Sequence, residues 1–270
     1  MPELPEVETI VRCLAPELRG RQVAGVEVRE RRLRGGVSAE FGRRLLGRRI
    51  GELARRGKYL LVPLDDGSTW LVHLGMTGRL TLSQPPTDLQ RHDHVVVVLD
   101  DGRHVVYNDA RRFGRMAVVD PDALARETGA GVDPLAPEFT GALLFALTRG
   151  RRTSIKALLM DQRRIAGLGN IYVNEALFHA GVRPGRRAAR LSRADCGRIV
   201  RAVRRVVARA IARGGSSISD YRDGLGRAGE FQLQHRVYDR AGEPCRRCTT
   251  PIRARVIVGR SSFYCPRCQA

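Results

Sequence analysis

Apolar residues recur at Leu4, Val7, Val11, Leu14 and Leu18, the spacing of one helical face, so the chain opens with an amphipathic helix that begins almost at its first residue. Pro2 suits the first turn of that helix, where no backbone donor is needed. From Gln22 to Val119 the period changes to short β-rich runs, Tyr59 to Val62, Trp70 to Val72 and Val95 to Leu99, punctuated by Asp66-Gly67 and Asp101-Gly102. These runs predict hairpins of an antiparallel sandwich. Residues 120–140 hold two Asp-Pro steps, an Ala-Pro step and several glycines, with net negative charge, and read as a linker. Beyond it the helical period returns. Its clearest stretch starts with a capping box of Ser192 and Asp195 and runs through Cys196, Ile199, Val200, Val203, Val207, Ala210 and Ile211 to a Gly214-Gly215 stop. Residues 214–229 are rich in Gly, Ser and Asp with weak periodicity, which predicts a mobile loop of the kind that often carries ligand contacts.

The length of 270 residues admits about two domains, each able to bury a core. An α+β fold is expected, divided into a β-sandwich over 1–120, a linker and first helix over 121–150, a helical part over 151–234 and a terminal module over 235–270. No apolar run approaches the ~18 residues of a membrane span, and Met1 to Gly20 carries charges where a signal peptide would be apolar, so a soluble intracellular protein is expected.

Charge narrows the choice of partner. The 48 Lys and Arg exceed the 28 Asp and Glu by 20, and residues 151–270 alone hold 26 basic against 8 acidic side chains. An excess confined to one half predicts a face for a polyanion, nucleic acid above all. Arg201, Arg204, Arg205 and Arg209 line the outer face of the capped helix, where a solvated surface explains them as well as nucleic-acid contact does. Only Lys58 and Lys156 are lysines in an otherwise arginine-based set.

Cys245 and Cys248, with two residues between them, and Cys265 and Cys268, spaced likewise, are separated by sixteen residues, the spacing of a four-thiolate zinc site. A pair of disulfides is the competing reading, disfavoured in a chain that lacks a signal peptide. Four thiolates leave no open position for water, so one structural zinc is expected and no redox or organic cofactor. Between the pairs, Ile252 to Val258 and Ser262 to Tyr264 read as two strands joined around Gly259-Arg260, with Arg260 at or near the tip. Cys13 and Cys196 lie on apolar helix faces and are expected to pack.

Removal of the initiator methionine before a small residue would leave Pro2 with a free secondary amine. Its attack on a sugar carbon at the aldehyde level gives an iminium, an electron sink that acidifies the neighbouring C–H. The positive end of the first helix disfavours the ammonium form, while Glu3 and Glu6 supply carboxyl groups for proton transfer. Taken alone, these residues also fit ordinary helix-start chemistry.

Pro2 to Thr9, Arg56 to Leu60, His73 to Met76, His92 to His94, Asn108 to Gly114, Ile155-Lys156, Gly167 to Tyr172, Asn174-Glu175 and Gly259 to Cys265 together resemble the bacterial formamidopyrimidine-DNA glycosylase family, in order and across the chain. The resemblance implies an N-terminal helix on a β-sandwich, a helix-two-turns-helix domain and a zinc finger. It implies excision of oxidised purines from duplex DNA and strand cleavage by β,δ-elimination. Pro2 would be the Schiff-base nucleophile, Glu3 the proton donor with Glu6 in support, and Lys58 a further acid/base group. Arg260 would clamp the lesion phosphate and assist the second elimination. His92, Arg111, Arg152, Lys156 and Asn170 would bind DNA. Met76, Arg111 and Phe113 would fill the void left by an everted nucleotide, although Met76 and Phe113 in isolation are more often core residues. The segment 214–229 would close over the everted base. A monomer on damaged DNA in the cytoplasm, with no membrane partner, is implied. An endonuclease VIII-like enzyme for oxidised pyrimidines and a non-catalytic zinc-containing binder are the alternatives.

Overall fold

The computed structural model describes residues 2–85, 88–129, 131–217 and 221–270, so Met1, whose removal the sequence raised, and part of the 214–229 loop lie outside the described residues. The chain divides into two compact units, one formed by residues 1–128 with 213–230, the other by residues 129–212 with 231–270.

In the first unit, helix α1 spans Leu4–Leu18 and buries Leu4, Val7, Ile10, Val11, Leu14 and Leu18 along one face. Each fully buried aliphatic side chain contributes roughly 1.5–3 kcal/mol, so this stripe fixes α1 on the core. The helix starts later than the periodicity suggests. Glu3 is extended (φ −109°) and acts as N-cap, its N–H donating to Glu6 Oε2 at 2.8 Å, so the proline of the first turn is Pro5 and Pro2 precedes the helix.

Eight strands follow, interrupted by the short helix α2 (Phe41–Leu45): β1 (Val23–Val28), β2 (Ala54–Arg56), β3 (Tyr59–Pro63), β4 (Thr69–His73), β5 (Arg79–Ser83), β6 (Asp93–Leu99), β7 (His104–Asn108) and β8 (Arg115–Val119). They form two four-stranded sheets, in the orders β1-β6-β7-β5 and β2-β3-β4-β8, and every pairing is antiparallel. The Asp-Gly turns fall where the sequence placed them, with Gly67 at φ 82° and Gly102 at φ 85°. Trp70 and Tyr107, both fully buried, and Phe41 pack with the α1 stripe in one continuous core. Residues 120–140, read as linker, contain helix α3 (Pro121–Thr128). Asp-Pro there starts a helix, because proline at the first position sacrifices no hydrogen bond.

The second unit holds α4 (Gly141–Thr148), α5 (Ile155–Met160), α6 (Asn170–Ala180) and α7 (Arg193–Ala212). Thr140 and Ser154 cap α4 and α5 through their hydroxyls, and Gly181 ends α6 at φ 72°. At α7 the expected capping box is present: Asp195 N donates to Ser192 Oγ at 3.1 Å and Ser192 N to Asp195 Oδ2 at 2.9 Å. The unit ends in a two-stranded hairpin, β9 (Arg253–Ile257) and β10 (Arg260–Tyr264), in which Ile257 faces Arg260. Its two-residue turn has Val258 at φ 48° and Gly259 at φ 67°. Two positive φ values match the hand of a tight hairpin, yet a β-branched residue pays steric strain there, where Asn is usual. Among the described residues no helix is long and apolar enough to cross a membrane.

The 213–230 segment, which the sequence assigns to the helical part, groups with the first unit. Its backbone explains why: Ser216 N donates to Glu6 Oε1 at 2.7 Å, Gly224 N to Cys13 Sγ at 3.2 Å and Leu82 N to Gly224 O at 2.8 Å. A side chain at position 224 would meet Leu14 Cγ at 2.5 Å, so only glycine allows this approach.

Candidate functional site

The N-terminal group is buried from Pro2 to Glu6. Glu6 is 1% exposed and its two carboxyl oxygens hold different segments: Oε2 accepts Glu3 N and Oε1 accepts Ser216 N. Tyr221, 7% exposed, donates its hydroxyl to Glu6 O at 3.3 Å. Burial and the facing Glu6 push the Tyr221 phenol well above its ordinary range, so it remains a neutral donor. Glu3 therefore stands at the start of α1 with its backbone fixed, directly after Pro2, and the 214–217 backbone lies against the same carboxyl. The two glutamates meet because a capping box folds one back on the other, which the three-residue spacing announced.

Lys58 occupies the tip of the β2–β3 hairpin, where Arg56 pairs with Tyr59 and Gly57 takes φ 58°. Tip residues are usually solvated, but Lys58 is 9% exposed. Its charge is felt by His73 on β4: burial first, then Lys58, Arg34 and Arg115, lower the His73 pKa to about 4. His73 is thus neutral at pH 7, and its Nδ1 accepts Gly75 N at 3.1 Å at the entrance to the Met76 turn.

Met76 (37% exposed) and Phe113 (42%) stand out of the β4–β5 and β7–β8 loops, and the Arg111 guanidinium lies 4.6 Å from the centre of the Phe113 ring. Such a group is a cation on an aromatic face beside a flexible thioether. Neither apolar side chain belongs to the core. The loops interlock through Gly75 (φ 62°), where a Cβ would fall 2.4 Å from Phe113 C. Behind them Asp109, fully buried, accepts Thr77 Oγ1 at 2.6 Å and Arg111 N at 3.3 Å on one oxygen. Its other oxygen accepts Gly114 N at 2.8 Å and Tyr107 OH at 3.1 Å. His94 Nε2 bonds Asp109 O at 2.8 Å, and Asp109 N donates to His92 O at 3.0 Å, which ties His92 to the same hub. The sequence named Asp109 only as part of a motif. An acidic residue flanked by loop residues with many backbone N–H groups was the available signal.

In the second unit Arg260 opens β10 and is exposed, as is Arg152 in the turn before α5. Asn170 begins α6, where Asn174 Nδ2 donates to Asn170 O at 2.6 Å. The preceding turn is braced by Gln162, whose Oε1 accepts Gly167 N at 2.8 Å and whose Nε2 donates to Leu168 O at 2.7 Å. Lys156 differs from the other cations expected to bind phosphate: it is 1% exposed, with Nζ donating to Ser261 O at 2.7 Å and Ser262 Oγ at 2.6 Å.

Cys245, Cys248, Cys265 and Cys268 offer sulfurs that all lie within 4.8 Å of one another. The Cys248–Cys265 and Cys248–Cys268 separations of 3.5 and 3.4 Å and the Cys245–Cys268 separation of 4.0 Å suit a tetrahedral ion, which at a Zn–S bond of about 2.3 Å sets sulfurs about 3.8 Å apart. Arg247 N and Cys268 N donate to Cys245 Sγ and Cys265 Sγ, each at 3.4 Å, as backbone amides do around bound thiolates. The set is closed, so the zinc it holds is structural. It lies beside a small core of Phe178, Val237, Ile252 and Phe263. Cys13 and Cys196 stay outside this cluster, and burial pushes both thiols up, away from reactivity.

Family models match three successive stretches: the formamidopyrimidine-DNA glycosylase N-terminal domain over residues 1–116, the formamidopyrimidine-DNA glycosylase H2TH domain over 130–222, and the zinc finger found in FPG and IleRS over 242–270. The formamidopyrimidine-DNA glycosylase of Thiobacillus denitrificans is 49% identical over the full length of both chains. Among solved structures, Lactococcus lactis Fpg bound to abasic-site DNA superposes at a TM-score of 0.91 with 32% identity over 99% of both chains. A mutant of the same enzyme bound to Fapy-dG DNA superposes at 0.92 with 31% identity, again over 99% of both.

Proposed function

The chain belongs to the formamidopyrimidine-DNA glycosylase family, and from that premise we propose that it excises oxidised purines from duplex DNA and then cleaves the strand. The observation that carries the reading is Pro2 set directly before the Glu3-capped end of α1, with Glu6 holding both Glu3 and the 216 backbone. A secondary amine beside a helix N-terminus is held toward its free, nucleophilic form.

The Pro2 nitrogen attacks C1′ of the damaged nucleotide. The C1′–base bond breaks, its electrons leave with the base, and Glu3 delivers the proton the departing base or opening sugar requires. Loss of the N–H proton from the attacking nitrogen and of the ring oxygen, protonated as it leaves C1′, gives an iminium. Removal of a C2′ proton then expels the 3′ phosphate, and a second elimination expels the 5′ phosphate, leaving a one-nucleotide gap with phosphate at both ends. Lys58, at a buried hairpin tip beside neutral His73, serves as a further acid/base group on the sugar and its phosphate. Arg260 clamps the lesion phosphate and assists the second elimination. Met76, Arg111 and Phe113 fill the void as the nucleotide everts, while His92, Arg152 and Asn170 belong to the DNA-binding surface; Lys156, expected there from the sequence, is buried and faces β10 instead. The zinc, held by the four cysteines, supports the β9–β10 hairpin. The protein acts as a monomer in the bacterial cytoplasm, on the nucleoid.

Borohydride treatment with an 8-oxoguanine duplex tests the central step. A covalent complex whose modified peptide begins at Pro2 is expected, and a chain with one residue retained ahead of Pro2 should not trap, since an amide nitrogen is not nucleophilic. Trapping by the extended chain, or a cross-link at Lys58 alone, would remove Pro2 from its role.

A further inference from the structure

Lys156 is the most buried cation of the second unit, and a buried ammonium must be met by acceptors. Among its acceptors are Ser261 O and Ser262 Oγ, both on β10. Ser262 is itself fully buried, and its hydroxyl, which can accept and donate at once, donates on to Arg260 O at 3.2 Å. A continuous path of hydrogen bonds thus runs from α5 to the backbone of Arg260. The next residue along is held in the same manner, Phe263 N donating to Asn174 Oδ1 of α6 at 2.9 Å. Where the chain enters the finger, Glu175 accepts Arg236 N, Val237 N and Tyr238 N, each at 2.9 Å. The hairpin's own turn offers poor support, because Val258 sits there at φ 48°. Arg260, the residue after that turn, is fixed from behind by helices α5 and α6.

We propose that Lys156 is a positioning residue for Arg260, acting through Ser262 on the Arg260 backbone. This inference rests on the assignment of Arg260 to the lesion phosphate. A guanidinium on a long side chain can engage a phosphate only from a fixed base, and a displacement of about 1 Å at a catalytic group can cost on the order of 100-fold in rate. Ser262 and Lys156 set that base.

The test uses the zinc-loaded full chain and an abasic-site duplex, with kcat, KM and salt-dependent binding measured for Ser262→Ala, Ser262→Thr, Lys156→Met and Arg260→Ala. Ser262→Ala and Lys156→Met should each lower kcat for strand cleavage about 10-fold, with little change in KM. Ser262→Thr keeps the hydroxyl and should recover most of the rate. In the Arg260→Ala background, Ser262→Ala should cause no further loss, whereas fully additive losses would overturn the coupling. The slope of log affinity against log salt should be unchanged in Lys156→Met. A slope shallower by about 0.9 would make Lys156 a direct phosphate ligand and would also overturn the proposal. Should Lys156→Met lose zinc, the Ser262→Ala and Ser262→Thr pair decides alone. Arg260→Ala cleaving at the parent rate would instead refute the assignment of Arg260, a result distinct from failure of the relay.

Discussion

Asp109 in the first unit and Lys156 in the second are both buried, at 0% and 1% exposure, and each stands behind a segment that exposes side chains proposed above to act on DNA. Asp109 lies under the loops of Met76, Arg111 and Phe113, and Lys156 under the hairpin of Arg260. They differ in sign because the backbone groups to be satisfied differ. Tight loops leave N–H groups pointing inward, and a carboxyl with four lone-pair sites gathers Arg111 N and Gly114 N together with two hydroxyls. A strand paired on one side leaves carbonyls along its inner edge, and an ammonium with three donors takes up Ser261 O and, through Ser262, Arg260 O. The comparison teaches that a buried charge behind a functional loop can be read from the polarity of the backbone it faces. It need not be a reactive group, even in an enzyme.

The largest separation between the two regions should come from removing zinc. Apparent zinc binding in small finger modules is worth roughly 10–16 kcal/mol, far more than one finger can retain without the ion. Chelation, or Cys248→Ser, should loosen β9–β10 and weaken duplex binding about 100-fold or more, with loss of activity following loss of binding. Trp70, the single tryptophan and fully buried in the first unit, should keep its folded fluorescence. A variant that binds DNA normally and fails only in chemistry would contradict a structural zinc.

Asp109→Ala should strike the other region. It leaves Gly114 N and Tyr107 OH without their acceptor in a buried site and takes an acceptor from Thr77 Oγ1, while Arg111 N keeps Thr77 Oγ1, a loss of about 3 kcal/mol from the stability of the first unit, read by denaturant unfolding followed at Trp70. Base excision should fall further than cleavage of a preformed abasic site, because the proposed wedge would act when a stacked base is everted. Equal losses on both substrates would mean that Asp109 supports the fold generally and has no particular bearing on the wedge.

Acid should produce the smallest effect, again confined to the first unit's platform. His73 has a folded pKa of about 4 against an ordinary value of 6.5, so between those values the unfolded chain binds more protons. Stability from this residue is present in full above about pH 6.5 and is lost as pH falls toward 4, where protonation also removes the acceptor for Gly75 N. His73→Gln should flatten the Trp70-monitored stability between pH 6.5 and 4. An unchanged slope would place the acid sensitivity elsewhere.

Periodicity, turn residues and spacing determined a great deal of this protein. The α1 stripe, the Asp-Gly hairpins, the Ser192–Asp195 box and the four cysteines were legible because each depends on residues close in sequence, whose local geometry allows few outcomes. The motifs also carried the resemblance to the family, and the family comparison agrees with it; the roles of Pro2, Glu3 and Arg260 are what that resemblance implies. Tertiary structure alone decided what lies behind them. Glu6 reaches residue 216, Thr77 meets Asp109 across 32 positions, and Lys156 meets Ser262 across 106. No local pattern announces such a contact, because the partner is chosen by whichever backbone group the packed core leaves unsatisfied. The same reason moved the 213–230 segment to the first unit: its glycines fit against α1, and that fit exists only once the sandwich has formed.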